Sequence, residues 1–321
     1  MSEKTGRLML EVRGLNKRFG QVRAVSDLNF EVRRGEVFGF LGPNGAGKST
    51  TMRIITCFIP PTSGSVLVDG LNTADYDLAV REKIGYLPES TPLYADMTVK
   101  EYLAFVGRIR GLKGAALKSR TDDMFSVCAL AKMADRQIGK LSKGYRQRVG
   151  LAQAMIHDPD LLILDEPMSG LDPNQIIEIR NLIKKFGEEK TVIYCSHILS
   201  EVSATCDRIL IIKDGRVVVT GTPGDLTSGH RGGGSRYTVR VKGEAESVLR
   251  SLKSVAGVSG VEAEAATPEG WICARVNTEG KEDIGEGIFK CIADSGLSLS
   301  ELRRDQTSLE EVFTELTGGN R

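Results

Sequence analysis

The chain has 321 residues, 40% of them hydrophobic, so it can bury sizeable cores, and its length predicts about two domains. Its 43 basic and 42 acidic residues leave a formal charge of +1, which excludes a global electrostatic attraction to nucleic acid or anionic membranes. No apolar run reaches the roughly 18 residues of a membrane span, and the polar first residues lack a signal-peptide core. We therefore expect a cytoplasmic protein that takes part in membrane processes only through a partner. The six cysteines include no Cys-x-x-Cys pair and are expected to be structural thiols.

The first half of the chain changes from strand-like to helical patterns. Residues 8–33 alternate apolar and polar positions, which predicts an antiparallel β subdomain. A short buried strand at 36–41 and a helix at 50–58 follow, and further strands are predicted at 65–70 and 84–88. Helical periodicity over about 99–157 then predicts an α-helical subdomain.

The second half returns to alternating strands and helices. Strand-like runs lie at 161–164, 191–195 and 208–212, and a helix begins at Asp172 and Pro173. This order predicts an α/β class with a parallel core.

A stretch rich in glycine and polar residues, 221–235, predicts the domain boundary. We expect a first domain at 1–226, a linker at 227–235 and a second domain at 236–321. The strand and helix order of the second domain predicts a small α+β, ferredoxin-like module, whose last helix opens on a capping box from Ser308 to Glu311. No catalytic constellation is visible in it, and its role is open between packing and regulation.

A glycine-rich loop, GPNGAGKST, connects the strand at 36–41 to the next helix. Its glycines let backbone N–H groups curl around a phosphate, Lys48 can reach the β and γ phosphates, and Ser49 supplies a hydroxyl for Mg²⁺. The strand, loop and helix order predicts a bound nucleoside triphosphate, ATP or GTP. The expected contacts are Gly42, Pro43, Asn44, Gly45, Ala46, Gly47, Lys48, Ser49 and Thr50.

Two adjacent carboxylates end the apolar strand at 161–164. In a parallel sheet they would lie at the same edge as the glycine-rich loop. Asp165 is then placed to hold Mg²⁺ through water, and Glu166 to polarise an attacking water. Lys48 and Glu166 are the first candidate catalytic residues.

The sequence LSKGYRQRV at 141–149 distinguishes among families of nucleotide-binding proteins. Ser142 can cap the helix that follows, which leaves the Gly144 backbone open to a phosphate. With this segment the chain resembles the ATP-binding subunits of ATP-binding cassette (ABC) transporters, over residues 8 to about 222. The resemblance implies that Ser142 and Gly144 contact ATP held by a second subunit, so that two ATP molecules join a head-to-tail dimer.

Further residues match that family one by one. Phe19 is similar to the aromatic side chain that stacks on adenine, although a buried core phenylalanine is the alternative. His197 is similar to the histidine that touches the γ-phosphate, which makes it the third candidate catalytic residue, although a lone histidine is commonly structural. Residues 169–172 resemble the loop through which the dimer halves communicate.

Two departures from the family pattern alter its implied contacts. Glu89 stands where the family usually has glutamine, and its carboxylate could still approach Mg²⁺. We therefore count Ser49, Glu89 and Asp165 as candidate metal ligands. Lys143 and Tyr145 replace a glycine and a glutamine of the common signature, which puts a sugar contact by Tyr145 in doubt.

These departures, with the segments 86–94 and 308–316, are similar to ABC-2-type export ATPases, the gliding-motility-associated members being nearest. The resemblance implies a separate membrane permease, docked at about residues 89–110 at the cytoplasmic face of the inner or plasma membrane, and a homodimer of this chain.

Two other functions stay open. A soluble regulatory ABC ATPase acting on nucleic acid or ribosomes usually carries paired cassettes or long coiled-coil inserts, whereas this chain has one phosphate loop and near-neutral charge. A kinase or GTPase would leave the segment at 142–144 and His197 without a purpose. Because of the single phosphate loop and the near-neutral charge, we expect no nucleic-acid partner.

Overall fold

A computed structural model describes residues 6–229, 235–266, 270–280 and 282–305, with residues 311, 313, 314 and 318. These residues form two compact units: the first holds 6–223 with 313, 314 and 318, and the second holds the described residues from 224 to 311. Within them, no helix is both long and apolar enough to cross a membrane.

The first unit mixes strands and helices in an order close to the prediction. Its elements are β1 (Leu8–Phe19), β2 (Val22–Arg33), β3 (Val37–Leu41), α1 (Lys48–Ile55), β4 (Ser63–Val68), β5 (Leu71–Asn72), α2 (Asp77–Lys83), β6 (Ile84–Leu87), α3 (Val99–Ile109), α4 (Gly114–Val127), α5 (Lys143–Met155), β7 (Leu161–Asp165), α6 (Pro173–Glu189), β8 (Thr191–Ser196), α7 (Leu199–Ser203), β9 (Arg208–Lys213) and β10 (Arg216–Gly221).

A largely parallel sheet forms the centre of this unit. Its strand order is β10-β9-β3-β8-β7-β6, and only the β9–β10 pair is antiparallel. Strands β3, β7 and β8 are buried at every position, as expected for parallel strands covered on both faces. In the register Leu41 pairs with Ser196 and Asp165 with Cys195, so the carboxyl ends of these three strands meet at one edge.

An antiparallel sheet and a helical region complete the unit. The sheet has the order β2-β1-β4-β5 and shares a hydrophobic core with the parallel sheet. In the helical region, α3 begins with a capping box in which Thr98 and Glu101 satisfy each other's backbone N–H groups. The predicted architecture, an α/β core with an antiparallel β and an α-helical subdomain, is confirmed.

The second unit is a four-stranded antiparallel sheet with helices packed on one face. Its elements are α8 (Pro223–Gly229), β11 (Arg236–Lys242), α9 (Ala245–Lys253), β12 (Val258–Ala266), β13 (Trp271–Thr278), α10 (Gly285–Asp294) and β14 (Ser298–Asp305). The strand order β12-β13-β11-β14 and the βαββαβ sequence are those of a ferredoxin-like module. Inward-facing residues of β11 and β13 pack against both α9 and α10.

Several element bounds differ from the prediction. The first three residues of the expected linker, 227–229, are the end of α8, while 230–234 fall outside the described residues. The helix expected to begin at Glu282 begins at Gly285, because the Asp283 carboxylate accepts hydrogen bonds from the Tyr237 hydroxyl and from the Gly285 N–H. The capping box expected at Ser308 lies outside the described residues.

Candidate functional site

The glycine-rich loop lies between β3 and α1, at the carboxyl edge of the parallel sheet. Gly45 and Gly47 have φ angles of 81° and 101°, which only glycine adopts without strain. Gly42 is required for another reason, since a Cβ there would lie 2.4 Å from the Ile212 carbonyl oxygen. The local sequence therefore fixes a tight loop at the start of α1.

Lys48 is the first residue of α1 and is buried within the loop. Its Nζ donates to the carbonyl oxygens of Gly42 at 2.8 Å and Pro43 at 3.3 Å. The same ammonium lies 3.6 Å from Glu166 Oε1. The loop and the acidic strand end, predicted separately from the sequence, therefore meet at this side chain.

Asp165, the last residue of β7, is 2% exposed. Burial raises the pKa of its carboxyl group, and nearby Glu166 and Glu89 act in the same direction, whereas the Ser49 hydroxyl donates to the carboxylate and lowers the pKa. Among the described residues, Asp165 Oδ1 has no hydrogen-bond partner. A buried carboxylate oxygen without a partner, close to a hydroxyl and a second carboxylate, fits the oxygen-rich environment that Mg²⁺ prefers.

No group of three or more histidine, cysteine, aspartate or glutamate residues within the described part of the chain could hold a metal ion alone. A magnesium ion at Ser49 and Asp165 would then depend on phosphate oxygens for much of its coordination. Magnesium ions commonly bind proteins in this way, through one or two carboxylates plus substrate phosphates.

Glu166 follows β7 in a left-handed conformation with φ 51°, which is costly for a residue other than glycine. Its N–H donates to the Cys195 carbonyl, so the β7–β8 ladder holds the backbone in place. The side chain is buried, and both carboxylate oxygens lie 2.9 Å from His197 Nδ1. The hydroxyl of Ser196 lies 3.3 Å from Oε2. These contacts aim one carboxylate toward the glycine-rich loop.

A cavity of about 530 Å³ lies between the loop, the acidic strand end and His197. The predicted residues that line it are Asn44, Gly45, Gly47, Lys48, Ser49, Thr50, Glu89, Glu166 and His197. Ala24 and Ser169 line it as well and were not among the predicted contacts. Ser169 belongs to the loop at 169–172, which the family resemblance had indicated. Ala24 lies in β2 and carries no sequence motif that could have predicted its place at the cavity.

The remaining predicted contacts in this loop act through the backbone. Ala46 is buried, with its methyl group in the hydrophobic core. Its carbonyl oxygen accepts a hydrogen bond from the Gly215 N–H. Gly42 and Pro43 present carbonyl oxygens to Lys48, as described above.

Phe19 ends β1 and is 50% exposed, so the alternative of a buried core phenylalanine is wrong. The ammonium of Lys17 lies 5.1 Å from the centre of its ring. An exposed aromatic ring is available for stacking, although Phe19 is not among the residues that line the cavity.

Ser142 and Gly144 are not among the cavity-lining residues either. Ser142 is the N-cap of α5, where its hydroxyl accepts from the Tyr145 N–H at 3.4 Å. Gly144 is buried, because the side chain of Gln175 on α6 packs against it. The signature segment is therefore helical and capped as expected, and it is separate from the cavity of its own protomer.

Comparisons with known proteins decide the family. Residues 25–169 match the sequence profile of the ABC transporter family. The linearmycin resistance ATP-binding protein LnrL of Bacillus subtilis (strain 168) is 33% identical over 97% of this chain and 98% of its own length. The chain belongs to the ATP-binding subunits of ABC transporters.

Two other ABC proteins extend the comparison. The Nod factor export ATP-binding protein I of Ralstonia nicotianae (strain ATCC BAA-1114 / GMI1000) is 35% identical, over 97% of this chain and 94% of its own. A dimeric structure of the ATP-binding cassette MJ0796, in a post-hydrolysis state bound to ADP and Pi, is 28% identical with a TM-score of 0.61, over 67% of this chain and 98% of that chain. This ABC subunit is an ATPase that powers a transporter.

Proposed function

We propose that this ABC ATPase drives an ABC-2-type exporter, working with a separate membrane permease at the cytoplasmic face of the membrane. The observation that carries the proposal is the convergence of Lys48, Glu166 and His197 on one cavity, with the buried Asp165 carboxylate beside Ser49 of its lining and the signature turn outside it. The relatives named above for linearmycin resistance and Nod factor export support export over import. Placement among the gliding-motility-associated members rests only on the short segments noted in the sequence.

In this proposal two ATP molecules bind at two sites, and each site is built from residues of both copies of the chain. The loop at 42–50 binds the triphosphate through backbone N–H groups and Lys48, and Phe19 stacks on the adenine ring. Ser142 and Gly144 belong to a separate surface of the protomer, so in this proposal they contact this nucleotide from a second copy of the chain. A head-to-tail homodimer with two ATP molecules satisfies both sets of contacts, and the dimeric MJ0796 cassette supports it.

Glu166 orients the water that attacks the γ-phosphate in line, because its carboxylate is buried at the edge of the cavity and held by His197 and Ser196. Lys48 stabilises the negative charge that develops on the phosphate oxygens. When bound at Ser49, Asp165 and Glu89, Mg²⁺ supplies further charge stabilisation to the β and γ phosphates. Hydrolysis then removes the group that joins the two copies.

The permease docks in a groove of the first unit, at one end of the segment 89–110. The groove has a volume of about 690 Å³ and lies between α2, the end of α3 and His157. Leu78 and Ile109 expose 69% and 68% of their surface there, next to the charged side chains of Arg81 and Arg110. Exposed apolar residues rimmed by charges are typical of a protein interface.

Co-purification tests this function. We expect the tagged chain, extracted from membranes with detergent, to carry with it a protein with about six apolar segments of about 20 residues each. A double substitution, Leu78→Asp with Ile109→Asp, should reduce its recovery at least about tenfold without lowering ATP hydrolysis, since two charged groups would be buried in the interface. Phe289→Asp, at an apolar residue of the second unit that is 54% exposed, is the matched control.

Equal recovery of the membrane protein with the groove variant and the control would contradict the docking surface. Recovery of the chain with ribosomes or nucleic acid, and without any membrane protein, would favour the soluble regulatory ATPase instead.

A further inference from the structure

The first turn of α5 is packed against the loop at 169–172 and the first turn of α6 within the same protomer. A Cβ on Gly144 would lie 2.4 Å from Gln175 Oε1, so the Gln175 amide rests directly on the Gly144 backbone. A Cβ on Gly170 would lie 2.2 Å from Lys143 Nζ, so the lysine side chain crosses that glycine. Both contacts depend on the absence of a side chain on one partner.

A third contact continues the same interface one turn further along both helices. The Arg148 guanidinium pairs with the Glu178 carboxylate at 2.5 Å. The Asp172 carboxylate caps α6 by accepting from the Gln175 N–H at 3.0 Å, which fixes the backbone that carries the Gln175 side chain. The Gln175 side chain therefore projects from an anchored position.

The loop on the other side of this interface is part of the protomer's own nucleotide site. The Ser169 N–H donates to the Glu166 carbonyl at 3.1 Å, and Ser169 lines the ATP cavity. Gln175 and Lys143 thus connect a segment that faces the protomer's own ATP to the signature turn, which in the dimer faces the partner's ATP.

We propose that Gln175 and Lys143 are positioning residues that hold the signature turn against the loop at 169–172, so that both approach the second copy as one rigid surface. The inference rests on the two-copy ATP site proposed above. Gln175 sets the position of Gly144 by packing against its backbone. Lys143 restrains Gly170, whose φ of 67° is a left-handed conformation that glycine adopts without strain. Without the two side chains, ATP-dependent closure of the dimer must also order the signature turn, and this ordering costs conformational entropy.

ATP-dependent dimer formation in a Glu166→Gln background is the test. We expect Gln175→Ala to raise the ATP concentration for half-maximal dimer formation roughly tenfold, a typical coupling for residues in direct contact. Alanine is a good helix former, so α6 should persist. In the hydrolysis-competent chain the same substitution should raise KM by a similar factor and leave kcat at saturating ATP unchanged.

Three variants sharpen the interpretation. Asn174→Ala, at the exposed neighbouring residue on α6, should behave like the parent. Gln175→Met should restore most of the dimer formation, because an unbranched side chain of similar length can pack on Gly144. Lys143→Ala should weaken dimer formation by itself, and its effect should not add to that of Gln175→Ala, since both act on one interface.

Binding of a fluorescent ATP analogue to the monomer separates the possible failures. We expect it to be unchanged by Gln175→Ala; a loss of binding there would show that Gln175 acts on its own nucleotide site and would overturn the proposal. Dimer formation equal to that of the parent would overturn it as well. Failure of the parent Glu166→Gln chain to dimerise with ATP would instead contradict the two-copy site.

Discussion

At the scale of single residues, the site is a chain of short contacts between groups far apart in sequence. Lys48 lies 3.6 Å from Glu166, and Glu166 lies 2.9 Å from His197. The ammonium and the imidazole both approach one buried carboxylate. In the proposed mechanism this arrangement holds Glu166 ready for a water molecule, and its positive φ of 51° is backbone strain of the kind that clusters at functional sites.

Asp165 permits a direct test of the metal assignment. We expect Asp165→Asn to lower magnesium-dependent ATP hydrolysis by about a hundredfold, the size of effect seen when a group that binds a metal through water is removed. ATP affinity in Mg²⁺ should fall to the value that the unchanged chain shows with a chelator, measured by titration with a fluorescent analogue. If the variant still gains ATP affinity from Mg²⁺ as the parent does, Asp165 does not hold the metal.

At the scale of elements, α5 is capped at its first end and tied to other elements of the first unit at its last. Ser142 caps its N-terminus, and Arg120 donates to the carbonyls of Met155 and Ile156 at its C-terminus, at 2.8 and 3.0 Å. His157 follows directly, with Nε2 3.1 Å from the Ile84 carbonyl at the start of β6. The helix therefore connects the signature turn to the central sheet.

His157 makes the stability of this junction depend on pH. Burial lowers the pKa of His157 to about 4, and the charge of Arg110 acts in the same direction. The unfolded chain, with an ordinary histidine pKa near 6.5, binds this proton more readily than the folded chain, so folding stability falls as the pH falls from about 6.5 to 4. We expect His157→Gln, which keeps a donor for Ile84, to remove this contribution.

Urea denaturation at pH 7 and pH 5 measures the effect. The parent should lose about 1 kcal/mol more than the variant over this interval, after allowance for partial solvent screening. The carboxylates that both chains share contribute equally to the two losses of unfolding free energy, so their contribution drops out of the difference. Equal losses in both chains would show that His157 takes up its proton in the folded state.

The elements that the sequence predicted are those with a strong local signal. Strands β3, β7 and β8 are continuous apolar runs, and α6 begins at an Asp-Pro pair that both caps and starts a helix. Helices α2 and α7 have seven and five residues and no side-chain cap, so tertiary packing determines them and the pattern did not predict them.

The same distinction applies to the site. The phosphate loop and the acidic pair are contiguous in sequence, so their chemistry could be predicted from residue types and spacing. Ala24 reaches the cavity only because the hairpin of β1 and β2 folds over it, and Gln175 reaches Gly144 only because α5 and α6 pack together. Contacts between distant elements leave no trace in a single sequence.

At the scale of the whole molecule, the chain combines an ATPase unit with a ferredoxin-like unit that has its own hydrophobic core. The ATPase unit presents its nucleotide cavity and its signature turn as separate surfaces, and the proposed ATP site therefore takes its signature turn from a second copy. The second copy is central to the proposed function, in which closure and opening of the pair drive export.

Light scattering coupled to size-exclusion chromatography tests this claim most directly, on the full chain with Glu166→Gln. The substitution should leave ATP binding intact and reduce hydrolysis about a thousandfold, because the amide cannot act as a base. We predict the mass of one chain without nucleotide and twice that mass with ATP and Mg²⁺. A single-chain mass at saturating ATP, with nucleotide bound, would contradict the account.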